Sequence, residues 1–454
     1  MSLPLAHGIA GVKDLPVPLW LFFYGAGVVL IVSFVALGAL WRRPLLAQRE
    51  PGRPLPTRLQ RVLAGPELRV VLGLLSVGLL ALVFAAAVLG EDSIAVNLAP
   101  TFVWVLFWLG LVPVVVLIGN VWSVLSPWRA AADGVAWAWR RLGRSWTPPW
   151  DYPERLGRWP AAVLLFAFTT LELAYPDSSS PRTLAIAIAL YSWITWLGMA
   201  AFGRRAWTGG GEAFAVYCGL LARLSPFDRR GRVLVARMPL SGLAGREERP
   251  GTIAFVTVML GSVAFDGFSR TTWWQTQLFA IDSQLALERP RLADLAITGF
   301  NLAGLLGAVA AVSLLFLLAV EGARLASGRR DSLAEEFVSS LVPIALAYAV
   351  AHYFSLFVLQ GQVTRRLVSD PFGFGWDLFG SRDYQPNLTV LSPNTIWYVQ
   401  VAALVVGHVI GLVLAHDRAV ALFRSPGTAL RTQYAMLVLM VAYTVGGLWL
   451  LSNG

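Results

Sequence analysis

From Val338 to Leu359 the chain is apolar at nearly every position. About twenty such residues suffice to cross a bilayer as a helix. No other local structure is open to a run of this kind in lipid, because each backbone N–H and C=O must be bonded within the segment. The same pattern recurs along the chain. We read ten spans, near Leu19–Trp41, Val70–Leu89, Ala99–Gly119, Trp159–Tyr175, Arg182–Phe202, Gly251–Asp266, Leu292–Val320, Val338–Leu359, Ile396–Ala415 and Gln433–Leu451. The expected fold is all-α, a polytopic transmembrane helix bundle forming one integral-membrane domain over 1–454. A membrane β-barrel would instead show short alternating segments.

Charge supports this and suggests an orientation. The net charge is +10, which in a soluble protein would point to nucleic acid. Only 14% of residues are charged, so the positive-inside rule explains the excess better, and no nucleic-acid partner is expected. Of 36 basic residues, 28 fall in alternate loops, at 42–69, 120–158, 203–250, 321–337 and 416–431. The opposite segments hold the other 8. We therefore expect a bacterial inner-membrane protein with both termini outside and the bilayer as its main partner. Met1–Pro18 lacks the pattern of a cleavable signal peptide, so the first run reads as a retained span. The single cysteine, Cys218, leaves no disulfide framework or cysteine metal cluster.

Two inner loops predict interfacial amphipathic helices. Ser126–Pro127 can cap and start one, with Trp128, Ala132, Val135, Trp139 and Leu142 on one face. Glu212–Leu224 predicts a second, with the glycines at 209–211 leading into it. Arg42–Arg69 reads as a plain connector. On the outer side, Phe268–Arg291 and the aromatic, glycine-rich loop 361–395 are the long segments. The latter suits either a lid over a cavity or an aromatic belt.

Polar residues within the spans mark the candidate site. Tyr348, His352 and Ser355 recur at i, i+4, i+7 and share one face, which Gln362 extends. Glu172, Asp266 and the group Asp294, Thr298 and Asn301 lie at the outer ends of their spans, and His408 near the middle of the ninth. Ionisable groups are costly in lipid, so such a cluster is a functional hypothesis by default. His352, Asp266 and Tyr348 are the candidate catalytic residues. His352, His408, Asp266 and Glu172 are candidate ligands for a divalent Zn, Mn or Fe ion, with Asp377, Asp383 and His7 in reserve. The same groups suit a proton relay, and two membrane histidines could hold a haem. Glu172 and Asp266 also fit headgroup level, and His408, between Gly407 and Gly411, fits a helix-packing role. Walker A, GxSxG and HExxH motifs are missing.

Several segments resemble a bacterial family of polytopic membrane proteins labelled fenitrothion hydrolase. They are AlaHisGlyIleAla (6–10) with AspLeuProValPro (14–18), LeuSerProTrpArg (125–129), GluAlaPheAlaValTyr (212–217), AlaPheAspGlyPheSer (264–269), HisTyrPheSerLeuPhe (352–357), and AspProPheGly with TrpAspLeuPheGly (370–380). The resemblance implies hydrolysis of an organophosphorus triester, releasing a nitrophenol. Such chemistry commonly uses a metal-activated hydroxide, and a small apolar substrate would enter from the outer side. Two other classes stay open: a transporter or channel for a small solute or ion, and a metal-handling or assembly protein.

Overall fold

The computed structural model describes residues 18–46, 52–231, 233–247, 249–423 and 425–453. His7 and most of the resemblance at 6–18 lie outside these residues. Among the described residues, ten helices are long and apolar enough to cross a membrane, each overlapping one of the expected runs. The sixth, Thr252–Ser269, is the hub. Its apolar window is 72% buried, against 22% for the first and second spans, which face lipid along most of their length. It packs on the fourth span, Trp159–Leu173, and on the seventh, Pro290–Ser327. The eighth, Val342–Gln360, lies between it and the ninth, Pro393–Leu422. Small residues permit the closest approach. A Cβ on Gly407 would meet Ala347 and Pro343, and one on Gly411 would meet the Ser340 carbonyl.

Two spans are irregular. The third, Leu98–Ile118, is a π-helix over Phe102–Leu109, a form that often accompanies functional sites. The eighth is preceded by a 3₁₀ stretch at Val338–Leu341. Pro343 explains that break, since it lacks the N–H that would close a bond to Ser339. The seventh and ninth run past their expected ends, because the added polar residues are paired. Arg324 bonds Glu321 within the seventh. In the ninth, Asp417 Oδ1 accepts from Trp41 Nε1 (3.0 Å) and from the Leu45 and Leu46 N–H groups, and His416 bridges Gln433 and the Trp41 carbonyl.

The basic side carries more structure than expected. The helix at Pro127–Arg141 is present, with Val135 and Leu142 of its expected face largely exposed, as suits a helix lying on lipid, while Trp128 at its start is buried and bonds Ser192. The second expected interfacial helix is instead internal. Ala213–Leu221 is buried on nearly every side against the third, fourth and eighth spans. Its turns carry aromatic residues, Phe214 and Tyr217, that pack on Phe107, Trp108 and Phe168. Glu212 caps it, accepting from the Phe214 and Ala215 N–H groups, from Trp122 Nε1 and from the Tyr191 hydroxyl. Nor is Arg42–Arg69 only a connector. Arg53–Pro54 pairs antiparallel with Val233–Ala236, which pairs with Phe227–Arg230, making a small three-stranded sheet.

On the opposite side, Phe268–Arg291 is mostly a helix, Thr272–Leu285. Trp274 there is buried, stacked on Phe300 at 4.3 Å and bonded to Asn301. The loop within 361–395 is ordered by its own turns. Asp370 accepts from the Phe374 and Gly375 N–H groups, and Gly373 and Gly375 take positive φ of 76° and 88° to allow it.

Candidate functional site

Four side chains from three spans meet inside the bundle. Asp266 is one turn from the end of the sixth span and is fully buried. Its Oδ2 accepts from the Tyr353 hydroxyl at 2.7 Å. The same hydroxyl lies 3.5 Å from Glu172 Oε1 at the end of the fourth span. His352 Nε2 stands 2.8 Å from Asp266 Oδ2, at ion-pair distance but off the angle a hydrogen bond needs. Arg270, four residues after Asp266, brings its Nε to 3.4 Å from Oδ1. Glu172 is 3% exposed and Tyr353 5%. His352 is the least enclosed of the four, its side chain 10% exposed.

The helices explain the convergence. The fourth, sixth and eighth spans run in the same direction, and the ends of the fourth and sixth come level with the middle of the longer-reaching eighth. His352 and Tyr353 are adjacent and stand about 100° apart around the helix. One therefore faces Asp266 while the other reaches between the two carboxylates. Among the described residues the cluster holds two carboxylates and one guanidinium, and unneutralised charge is costly in a low-dielectric interior. Tyr353 and Asp266 link His352 to Glu172.

The other expected site residues are placed elsewhere. Tyr348 shares the face of His352, but its hydroxyl donates to the Tyr443 carbonyl of the tenth span, Tyr434–Asn453. His408 is fully buried beside Tyr348, ring centroids 5.9 Å apart, with Nδ1 2.8 Å from the Leu404 carbonyl. Gln362 holds the loop within 361–395, bonding Asn387 and Tyr384. Asp377 and Asp383 are exposed, and Asp377 accepts from the Arg382 N–H. That loop is tied to the turn between the second and third spans, through Phe372 to Glu91, Pro371 to Leu98 and Arg366 to Ala95.

The residues do not make a complete metal shell. Both Asp266 oxygens already face donors, Tyr353 on one and Arg270 on the other, and a guanidinium opposes a dication. Among the described residues, no three His, Cys, Asp or Glu side chains converge as metal ligands. Sequence reasoning did not single out Tyr353 or Arg270. The Arg270 signal was present as an acid–base i, i+4 pair at a helix end. Tyr353 had none, because it lies off the polar stripe.

Fold and site together define a polytopic α-helical integral membrane protein with a buried carboxylate–tyrosine–histidine cluster. The chain matches no family model, no curated protein and no solved structure.

Proposed function

We propose that this protein is a proton-coupled membrane carrier for a small solute or ion. In this reading its arginine-rich face lies in the bacterial cytoplasm, its termini lie outside, and the cluster lies in the outer half of the bilayer. The observation that carries it is the single Tyr353 hydroxyl, 2.7 Å from Asp266 and 3.5 Å from Glu172, with His352 2.8 Å from Asp266. A proton passes along such a chain without needing a wide cavity. Buried ionisable groups on facing helices are the usual form of membrane proton relays. The π-helical third span and the broken start of the eighth supply the irregular backbone that carriers use.

The test is proton flux into proteoliposomes under an imposed potential, followed with an internal pH dye. Wild type and Arg382→Ala, in the exposed outer loop, are expected to conduct. Asp266→Asn and His352→Gln are expected to lose most of the flux. Equal flux in all four proteins overturns the relay.

Hydrolysis of an organophosphorus triester is the second reading. It rests on the family resemblance and on the His352–Asp266 pair, which has the form of a general base with its orienting carboxylate. Nitrophenol release by wild type but not by His352→Gln, without proton flux, would favour it.

A further inference from the structure

A second feature lies on the other side of the molecule. The small sheet, the helix Thr57–Leu63 and the start of the second span enclose a cavity of about 1700 Å³. Eight arginines line it, against two carboxylates, Asp228 and Glu247. Both carboxylates are already engaged. Glu247 holds Arg158 at 2.8 Å and also Arg223, and Asp228 holds Arg237 at 2.8 Å. Among the described residues, Arg53, Arg229 and Arg230 face no carboxylate within ion-pair distance. The positive-inside rule accounts for arginines on this side, but not for their gathering around one cavity.

Arg229 also feels basic residues just outside the lining. It is half-buried, and its proton affinity is lowered, first by desolvation and then by the like charges of Arg69 and Arg129. Arg129 is lowered in the same way, by desolvation and then by Arg69, Arg204 and Arg205. Guanidiniums held together like this favour a bound anion, and phosphate oxygens match their fork geometry. Much of the remaining wall is apolar. Leu55, Leu59 and Leu63 line it together with Leu68 and Leu72, where the second span begins. That span is largely uncovered by protein, so the wall is continuous with the lipid-facing surface.

We propose that this cavity binds a phosphate-bearing amphiphile, its headgroup on Arg53 and Arg229, which share one face of the sheet, and its chain along the leucine wall. Basic pockets beside membrane helices hold anionic headgroups in this manner. The site is separate from the Asp266 cluster and does not depend on what that cluster does.

The experiment is thermal unfolding of the full chain in a neutral detergent. Phosphatidylglycerol, phosphatidylcholine or inorganic phosphate is titrated in. Phosphatidylglycerol is expected to raise the midpoint saturably, with phosphatidylcholine having little effect. Arg229→Ala should weaken that binding about tenfold. Arg53→Ala, at an exposed position, should do the same and serves as a second variant should the first fold poorly. Arg382→Ala, on the opposite side, should respond as wild type does. An equal response to both lipids, or unchanged binding in both Arg229→Ala and Arg53→Ala, overturns the site. A full response to inorganic phosphate alone overturns the amphiphile and assigns the arginines to a soluble anion.

Discussion

Asp266→Ala is the sharpest test of the buried cluster. The substitution removes the acceptor of the Tyr353 hydroxyl (2.7 Å), the ion-pair partner of His352 (2.8 Å) and the carboxylate facing Arg270 (3.4 Å). Water cannot readily replace it, because Asp266 is fully buried. Breaking a buried ion pair by deleting one partner costs about 3–5 kcal/mol, and we expect a loss in that range. Asp266→Asn keeps the shape and one acceptor oxygen, so it should lose less, about 1–3 kcal/mol. The assay is reversible unfolding in mixed micelles, with Tyr353→Phe included to close a double-mutant cycle. The coupling between Asp266 and Tyr353 should be about 0.5–3 kcal/mol, as for residues in one network. If Asp266→Ala stays within about 0.5 kcal/mol of wild type, as surface substitutions do, the cluster is not a mutually satisfied ionic site. The proposed relay would then fail with it.

Glu212→Ala removes the acceptor for two side chains and two backbone N–H groups at the start of the buried helix Ala213–Leu221. It should cost at least about 2 kcal/mol, with Glu212→Gln milder, read by the same unfolding assay. Gly407→Ala places a methyl against Ala347 at the tight crossing of the eighth and ninth spans. Overpacking there should cost about 1–3 kcal/mol, and a Gly407→Ala protein as stable as wild type would show that the crossing has slack. Chelation should leave proton flux unchanged if the relay is proton-only. Metal analysis before and after EDTA, on the same proteoliposomes, checks this, and flux lost to EDTA and restored by Zn or Mn would require a metal at the cluster.

Hydropathy alone carried the ten spans and the helical class, because lipid imposes one local solution on an apolar run of that length. Paired acids and bases that extend a helix beyond its apolar core, such as Glu321 with Arg324, set ends that hydropathy does not register. Within the site, His352, Asp266 and Glu172 stood out as ionisable groups in apolar surroundings, each visible from its own segment. Their convergence was not legible, since it depends on how deep each helix sits and how it is rotated. The same limit separated Tyr348 from the cluster. One face of the eighth span meets both the sixth and the tenth, so Tyr348 bonds Tyr443 while His352, one turn on, meets Asp266. The helix after Glu212 carried a composition that fits an interface or an interior equally well. Only the aromatic shell packed around it decided for the interior. The basic cavity has the same origin. Arg53 and Arg229 are far apart in the chain, and it is the pairing of Arg53–Pro54 with Val233–Ala236 that brings them to one face of the sheet.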